Sequence, residues 1–149
     1  MNNFDFLVGE WTVANRKLRE RLVGSEEWEE FQASSVAWNL LDGGGQIDQF
    51  TFPDGTTALT LRLVDPRTQQ WSLRWAASTD GVLLPPVIGS FTDGVGTFYG
   101  DDEHQGTPVR VRYVWSEITE NSARWEQAFS ADDEQSWEIN WTMQLTRKQ

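Results

Sequence analysis

Apolar and polar residues alternate along most of this chain. Trp71, Leu73 and Trp75 share one parity, with Ser72 and Arg74 between them. Trp137, Ile139, Trp141, Met143 and Leu145 repeat the pattern, separated by Glu138, Asn140, Thr142 and Gln144. Leu59, Leu61 and Leu63 oppose Thr60, Arg62 and Val64, and Val109, Val111, Tyr113 and Trp115 oppose Arg110, Arg112 and Val114. Ala123, Trp125, Gln127 and Phe129 oppose Arg124, Glu126 and Ala128. A period of two places each set on one face of a β-strand. One face is therefore aliphatic and aromatic, and the other is rich in Arg and Glu. Burying several arginines is costly unless each is paired. The apolar parity, Leu59, Leu61 and Leu63 included, is accordingly read as the interior. The rival orientation puts Arg62, Arg74, Arg110, Arg112, Arg124, Glu126 and Asn140 inside.

Turn residues punctuate these runs. Gly43-Gly44-Gly45, Pro53-Asp54-Gly55, Asp65-Pro66, Asp80-Gly81, Asp93-Gly94, Gly106-Thr107-Pro108, Glu120-Asn121 and Asp132-Asp133 recur at short intervals. About ten strands lie between them, at 10–22, 28–40, 46–52, 57–64, 70–77, 86–92, 95–100, 108–116, 122–130 and 136–147. Short connections between consecutive strands predict antiparallel hairpins in a meander, with Asp93-Gly94 the cleanest hairpin turn. No run keeps a helical period; Ser25 to Glu30 is expected to form at most a short helical turn. The expected fold is all-β, a single antiparallel barrel spanning 1–149 as one domain.

Composition narrows the function. The 149 residues carry a formal charge of -11, which disfavours phosphate backbones and anionic membrane surfaces as partners. There is no cysteine, so disulfides and thiolate chemistry are excluded. No basic segment followed by an apolar stretch opens the chain, and no apolar run reaches the roughly 20 residues that span a bilayer. A cytoplasmic location is expected.

Phe4-Asp5-Phe6-Leu7-Val8-Gly9-Glu10-Trp11 contains a Gly-x-Trp after an aromatic and a leucine. This resembles the first strand of calycins, the lipocalins and fatty-acid-binding proteins. Gly89 to Tyr99, Ser122 to Ser130 and Trp137 to Met143 further resemble a bacterial lipocalin-like domain family of unknown function. The resemblance implies a calycin barrel in which Trp11 closes one end and Arg147, in the last strand, packs across its ring. Were the rival orientation correct, an interior arginine would hold a ligand carboxylate, as in fatty-acid-binding proteins.

Nine tryptophans make the interior unusually aromatic. Polar residues on the apolar parity then become candidate anchors, because a small-molecule cavity combines apolar walls with a few polar groups. Asp48 shares its parity with Phe50 and Phe52, and Gln127 with Trp125 and Phe129. The candidate ligand-binding residues are Asp48, Trp75, Tyr113, Trp125, Gln127 and Trp141, for a small apolar or amphipathic molecule. No catalytic residue, metal ligand or cofactor is assigned. Two alternatives stay open: an isomerase- or hydrolase-like enzyme using Asp48 or Glu126 as acid/base, and a core-filled domain that pairs as a homodimer. His104, the single histidine, falls in Asp101-Asp102-Glu103-His104, read as a charged, exposed turn rather than a metal or catalytic site. Ser130 to Trp137 resembles the Asp-box hairpin, with Glu134 where that motif has glycine. Gly43-Gly44-Gly45 is read as a flexible turn or bulge near the barrel mouth rather than a phosphate-binding loop.

Overall fold

A computed structural model describes residues 3–149 and shows a closed barrel of ten antiparallel strands. The strands are β1 (Gly9–Leu18), β2 (Trp28–Leu40), β3 (Gly45–Thr51), β4 (Thr57–Asp65), β5 (Gln70–Ala77), β6 (Val87–Thr92), β7 (Val95–His104), β8 (Thr107–Ser116), β9 (Ser122–Ser130) and β10 (Glu138–Arg147). Each pairs with the next, and β1 pairs with β10 to close the ring. The expected meander is therefore what forms. Asp93 and Gly94 both adopt positive φ, at 52° and 79°, as a two-residue hairpin turn of matched twist requires. Ser25–Glu27 is irregular rather than helical; the short 3-10 turns lie at Asp5–Leu7 and Leu41–Gly43 instead.

The strand faces follow the apolar parity in most of the barrel, but not in β4. There Ala58, Thr60 and Arg62 are buried, while Leu63 is 40% exposed. The expectation that Leu59, Leu61 and Leu63 point inward is thus overturned. Register gives the reason. Phe50 pairs with Ala58, and Trp75 with Thr60. Directly paired residues share a face, so the large inward rings of β3 and β5 force β4 to present its small residues between them. Arg62 comes inside with them, alongside Asp48. The rival orientation fails as a whole, since Arg74, Arg110, Arg112 and Arg124 are outside; only Arg62 and Asn140 of that set are buried.

A second departure occurs in β10. Ile139 pairs with Ala128 and Trp141 with Gln127, so the ladder skips at Asn140. One extra residue flips the alternation. Trp137 and Ile139 therefore do not share the inward face of Trp141, Met143 and Leu145. Trp137 lies outside, beneath the Arg112 guanidinium, 4.5 Å from its ring centroid, and beside Tyr99.

One end of the barrel is filled. The segment before β1 tucks Phe4 and Leu7 beneath the strands, both buried. Phe4 meets Trp71, Phe91 and Trp115 edge-on, at centroid distances of 4.9, 4.9 and 6.1 Å. Such pairs contribute about 0.5–1.5 kcal/mol each beyond area burial. Trp11 donates its indole N–H to the Leu7 carbonyl at 2.8 Å. Arg147 lies 4.3 Å above the Trp11 ring and donates to the carbonyls of Phe6, Val8 and Glu120. Gly9 has φ of 122°, and a Cβ there would stand 2.6 Å from Arg147 Nη1. The glycine of Gly-x-Trp is thus required by both backbone and space. The Gly43 turn lies at this closed end, between β2 and β3, not at the mouth.

Candidate functional site

Above the filled end, the interior crosses a polar floor. Arg62, fully buried, contacts the Asp48 carboxylate and donates to Gln46 Oε1 at 2.8 Å. Asp48 also accepts from the Thr60 amide at 2.9 Å, and Gln46 donates to the Phe4 carbonyl at 2.7 Å. The guanidinium lies 5.0 Å over the Phe4 ring. This network holds a charge pair in a site where neither member alone would be tolerated.

The open half of the barrel contains a cavity of about 310 Å³. Trp75, Tyr113, Trp125, Gln127 and Trp141 all line it, so the structure brings together five of the six expected ligand residues. Asp48 lies apart, its carboxylate already engaged by Arg62 and Thr60. The aromatic wall is continuous: Tyr113 to Trp125, Trp125 to Trp141 and Trp141 to Trp75 meet edge-to-face at 5.1, 5.5 and 5.7 Å. Trp75 belongs to β5, Tyr113 to β8, Trp125 and Gln127 to β9, and Trp141 to β10. The neighbouring strands β8, β9 and β10 thus fix three adjacent rings, and Trp75 meets Trp141 across the barrel interior from β5.

Polar groups on that wall fall into two kinds. Some are satisfied within the protein: Trp141 Nε1 donates to Asn15 Oδ1 at 2.9 Å, and Gln127 Nε2 donates to Asn140 Oδ1 at 2.8 Å. Others are not. The Tyr113 hydroxyl and the indole N–H groups of Trp75 and Trp125 make no hydrogen bond among the described residues. Burial, together with the Asp102 charge, pushes the Tyr113 hydroxyl far above its ordinary pKa. It is therefore a neutral donor at any physiological pH.

Residues that sequence reasoning did not single out complete the mouth. Lys17, from β1, places its ammonium 4.2 Å over the Trp141 ring. Arg21, in the β1–β2 connection, lies 5.2 Å over Phe129. Burial depresses the pKa of both, and the Arg21 charge depresses that of Lys17 further. The signal for Lys17 was present, because it continues the inward parity of Trp11, Val13 and Asn15. Arg21 lies beyond the strand, where parity says nothing.

The acidic run is not a turn. Asp101 to His104 finish β7, and the turn is Gln105-Gly106. Alternation separates them: Asp102 and His104 continue the inward face of Phe98 and Gly100, whereas Asp101 pairs outside with Arg110 at 3.4 Å. The His104 ring is half-buried, 6.0 Å from Phe129. Among the described residues no group of three or more acids and histidines is placed to hold a metal ion. Glu126, the other candidate acid/base, is on the outer face between Arg112 and Arg124, at 4.0 and 3.3 Å, and does not reach the cavity. Among the described residues no helix is long and apolar enough to cross a membrane.

The Ser130–Trp137 hairpin forms as a side-chain-locked turn. Asp132 accepts from the Ser130 and Ser136 hydroxyls and from the Ser136 amide. Glu134 takes the left-handed conformation, φ 68°, that glycine would adopt freely. The turn thus closes with Glu134 standing where the motif has glycine, its amide donating to Ser130 Oγ at 2.9 Å.

No protein-family model matches the chain, and no curated protein matches it. The fold and the cavity are therefore the observations on which function rests.

Proposed function

We propose that this protein is a calycin-type carrier or sensor that holds a small apolar or amphipathic molecule in the open half of its barrel. The observation that carries this is the asymmetry of the interior. One end is filled by Phe4, Leu7 and their neighbours. The other holds a cavity of about 310 Å³ among Trp75, Tyr113, Trp125, Phe129 and Trp141, and the first three of these keep uncommitted donors. That volume is at the small end of the range for ligand sites, roughly 300–1,000 Å³. A domain stabilised only by packing gains nothing from such a space, because an unfilled interior forfeits dispersion contacts. The Gly9, Trp11 and Arg147 arrangement supports the calycin assignment.

The test is calorimetric titration with single-ring aromatic ligands, with Trp125→Ala as the altered wall. Measurable saturable binding that weakens in Trp125→Ala supports the reading. No heat with any ligand of this size, at millimolar concentration, would count against it.

The homodimer reading has one observation in its favour. On the outer faces of β2, β3 and β4, Trp38 pairs with Ile47, and Ile47 with Leu61. Trp38 is 43% exposed and Leu63 40%. Apolar side chains in adjacent cross-strand positions make a surface that a second copy would cover. Sedimentation velocity on the wild type and Leu61→Glu tests it. A dimer lost in the variant supports pairing through this wall, and a monomer at every concentration refutes it.

A further inference from the structure

Resting on the cavity reading above, we infer that the ligand carries an anionic oxygen headgroup, a carboxylate on a single-ring aryl or comparably compact body, bound between Lys17 and Arg21 at the mouth.

The two cations are the basis. Both line the cavity, both sit over rings of its wall, and neither makes a salt bridge among the described residues. That is unusual on a chain of net charge -11, where carboxylates outnumber cations almost two to one. Most of the other arginines have found acids: Arg16, Arg62, Arg67, Arg110, Arg112 and Arg124 each lie within 4.0 Å of one. Lys17 and Arg21 are instead left facing the same space. Two partly desolvated cations near one another are mutually repulsive, and an anion between them relieves both.

The acids that border the cavity, Asp101, Asp102 and Glu103, all come from β7, and the carboxylates that act on the cations, Glu29 on Lys17 and Glu138 on Arg21, form no salt bridge with either among the described residues. Asp101 points outward to Arg110. Asp102, the inward acid of β7, accepts from the Glu103 amide at 2.8 Å and stands across from the cations, on the other wall. Glu138, near Arg21, accepts the Leu22 amide at 2.7 Å, which fixes the connection carrying Arg21. Deeper in the barrel, the Arg62 charge is already balanced by the Asp48 carboxylate, and its guanidinium is held by Asp48 and Gln46, with Nε unpartnered. The headgroup is therefore held at the rim, with the body pointing down into the rings.

Size sets the body. Beside a wider cleft that shares Lys17, Trp75 and Trp141, the cavity itself holds about 310 Å³, at the small end for ligand sites. One aromatic ring with a short acid side chain fills such a volume. The four rings Trp75, Tyr113, Trp125 and Trp141 then meet it edge-on and face-on.

Three ligands with one body and different heads make the test: 3-phenylpropanoate, 3-phenylpropan-1-ol and 3-phenylpropan-1-ammonium, titrated calorimetrically into the full chain. The acid is expected to bind about tenfold or more tightly than the alcohol, the scale of one charge-assisted contact. The ammonium is expected to bind weakest. Lys17→Gln and Arg21→Gln should each remove most of the acid's advantage over the alcohol, while Arg67→Gln, at the opposite end, alters nothing. Equal binding of acid and alcohol, or tightest binding of the ammonium, overturns the inference and leaves the cavity reading standing. Failure of all three ligands overturns the cavity reading itself.

Discussion

Trp71 and Trp75 lie four residues apart on β5, both face inward, and they meet opposite surroundings. Trp71 is 1% exposed and edge-on to Phe4. Trp75 is half-buried, borders the cavity, and keeps an unpaired indole N–H. Residue type does not distinguish the two ends of the barrel, since each is built of tryptophan and phenylalanine. What distinguishes them is the segment before β1, which inserts Phe4 and Leu7 at one end only. The same aromatic repertoire becomes core where something fills it and a cavity wall where nothing does.

The largest effect is expected at the floor that separates the two halves. Asp48→Ala strands the Arg62 charge in a buried site and should cost about 3–5 kcal/mol of unfolding free energy in urea. Replacing Asp48 and Arg62 together by leucine should recover most of that loss. A single variant as stable as wild type would mean that the floor does not depend on the pair.

Equivalent truncations at the two ends sharpen the contrast directly. Trp71→Ala should destabilise by about 3–5 kcal/mol, as removal of a packed core aromatic does. Trp75→Ala should cost about half of that or less, because one side of its ring already borders open space. Equal losses in chemical denaturation would erase the distinction between filled and hollow halves.

A smaller effect is expected at the Trp11 plug. Gly9→Ala must hold an alanine at φ of 122° with its Cβ 2.6 Å from Arg147 Nη1. The strain should amount to about 1–3 kcal/mol, read as a lowered melting temperature. Ligand affinity at the other end should not change.

The smallest effect falls on the β9–β10 turn at the open rim. Bonds from Ser136 and then Ser130 hold the Asp132 carboxyl at about pH 2, below the usual carboxylate range. A carboxylate whose pKa is depressed by folding contributes fully above its unfolded value, near 3.9, and loses that contribution as pH falls towards 2. Amide exchange at Ser136 should therefore quicken, relative to other rim amides, between about pH 4 and 2. Since Asp132 is fully exposed, global stability should barely register the change.

Strand number, order and most boundaries were legible because period-two alternation and turn residues are local signals. So was the pairing of Trp11 with Arg147, through resemblance. The face of β4 was not legible, because its own pattern of Leu59, Leu61 and Leu63 points the other way. Neighbouring strands decided it. Pairing β3 to β4 across the Pro53–Thr56 turn sets Gln46 opposite Arg62 and Asp48 opposite Thr60. That register places an inward acid diagonally next to Arg62, a clue available only once pairing is drawn. The β10 skip at Asn140 left no comparable trace. For the site, aromatic parity found the wall, while the two cations at its mouth came from a strand end and a connection, where alternation stops carrying information.

The seam between β1 and β10 also sets an order of events. Every other pairing joins strands that follow one another, so each can form as a local hairpin. The seam joins residues such as Trp11 and Arg147, across almost the whole chain. Closing so large a loop comes late, after the local hairpins have repaid part of their ordering entropy. The contacts of Arg147 with Phe6, Val8, Glu120 and the Trp11 ring would then be absent from the rate-limiting transition state. They act on the lifetime of the folded barrel rather than on the speed of reaching it. Arg147→Ala should accelerate unfolding in stopped-flow measurements while leaving the folding rate almost untouched.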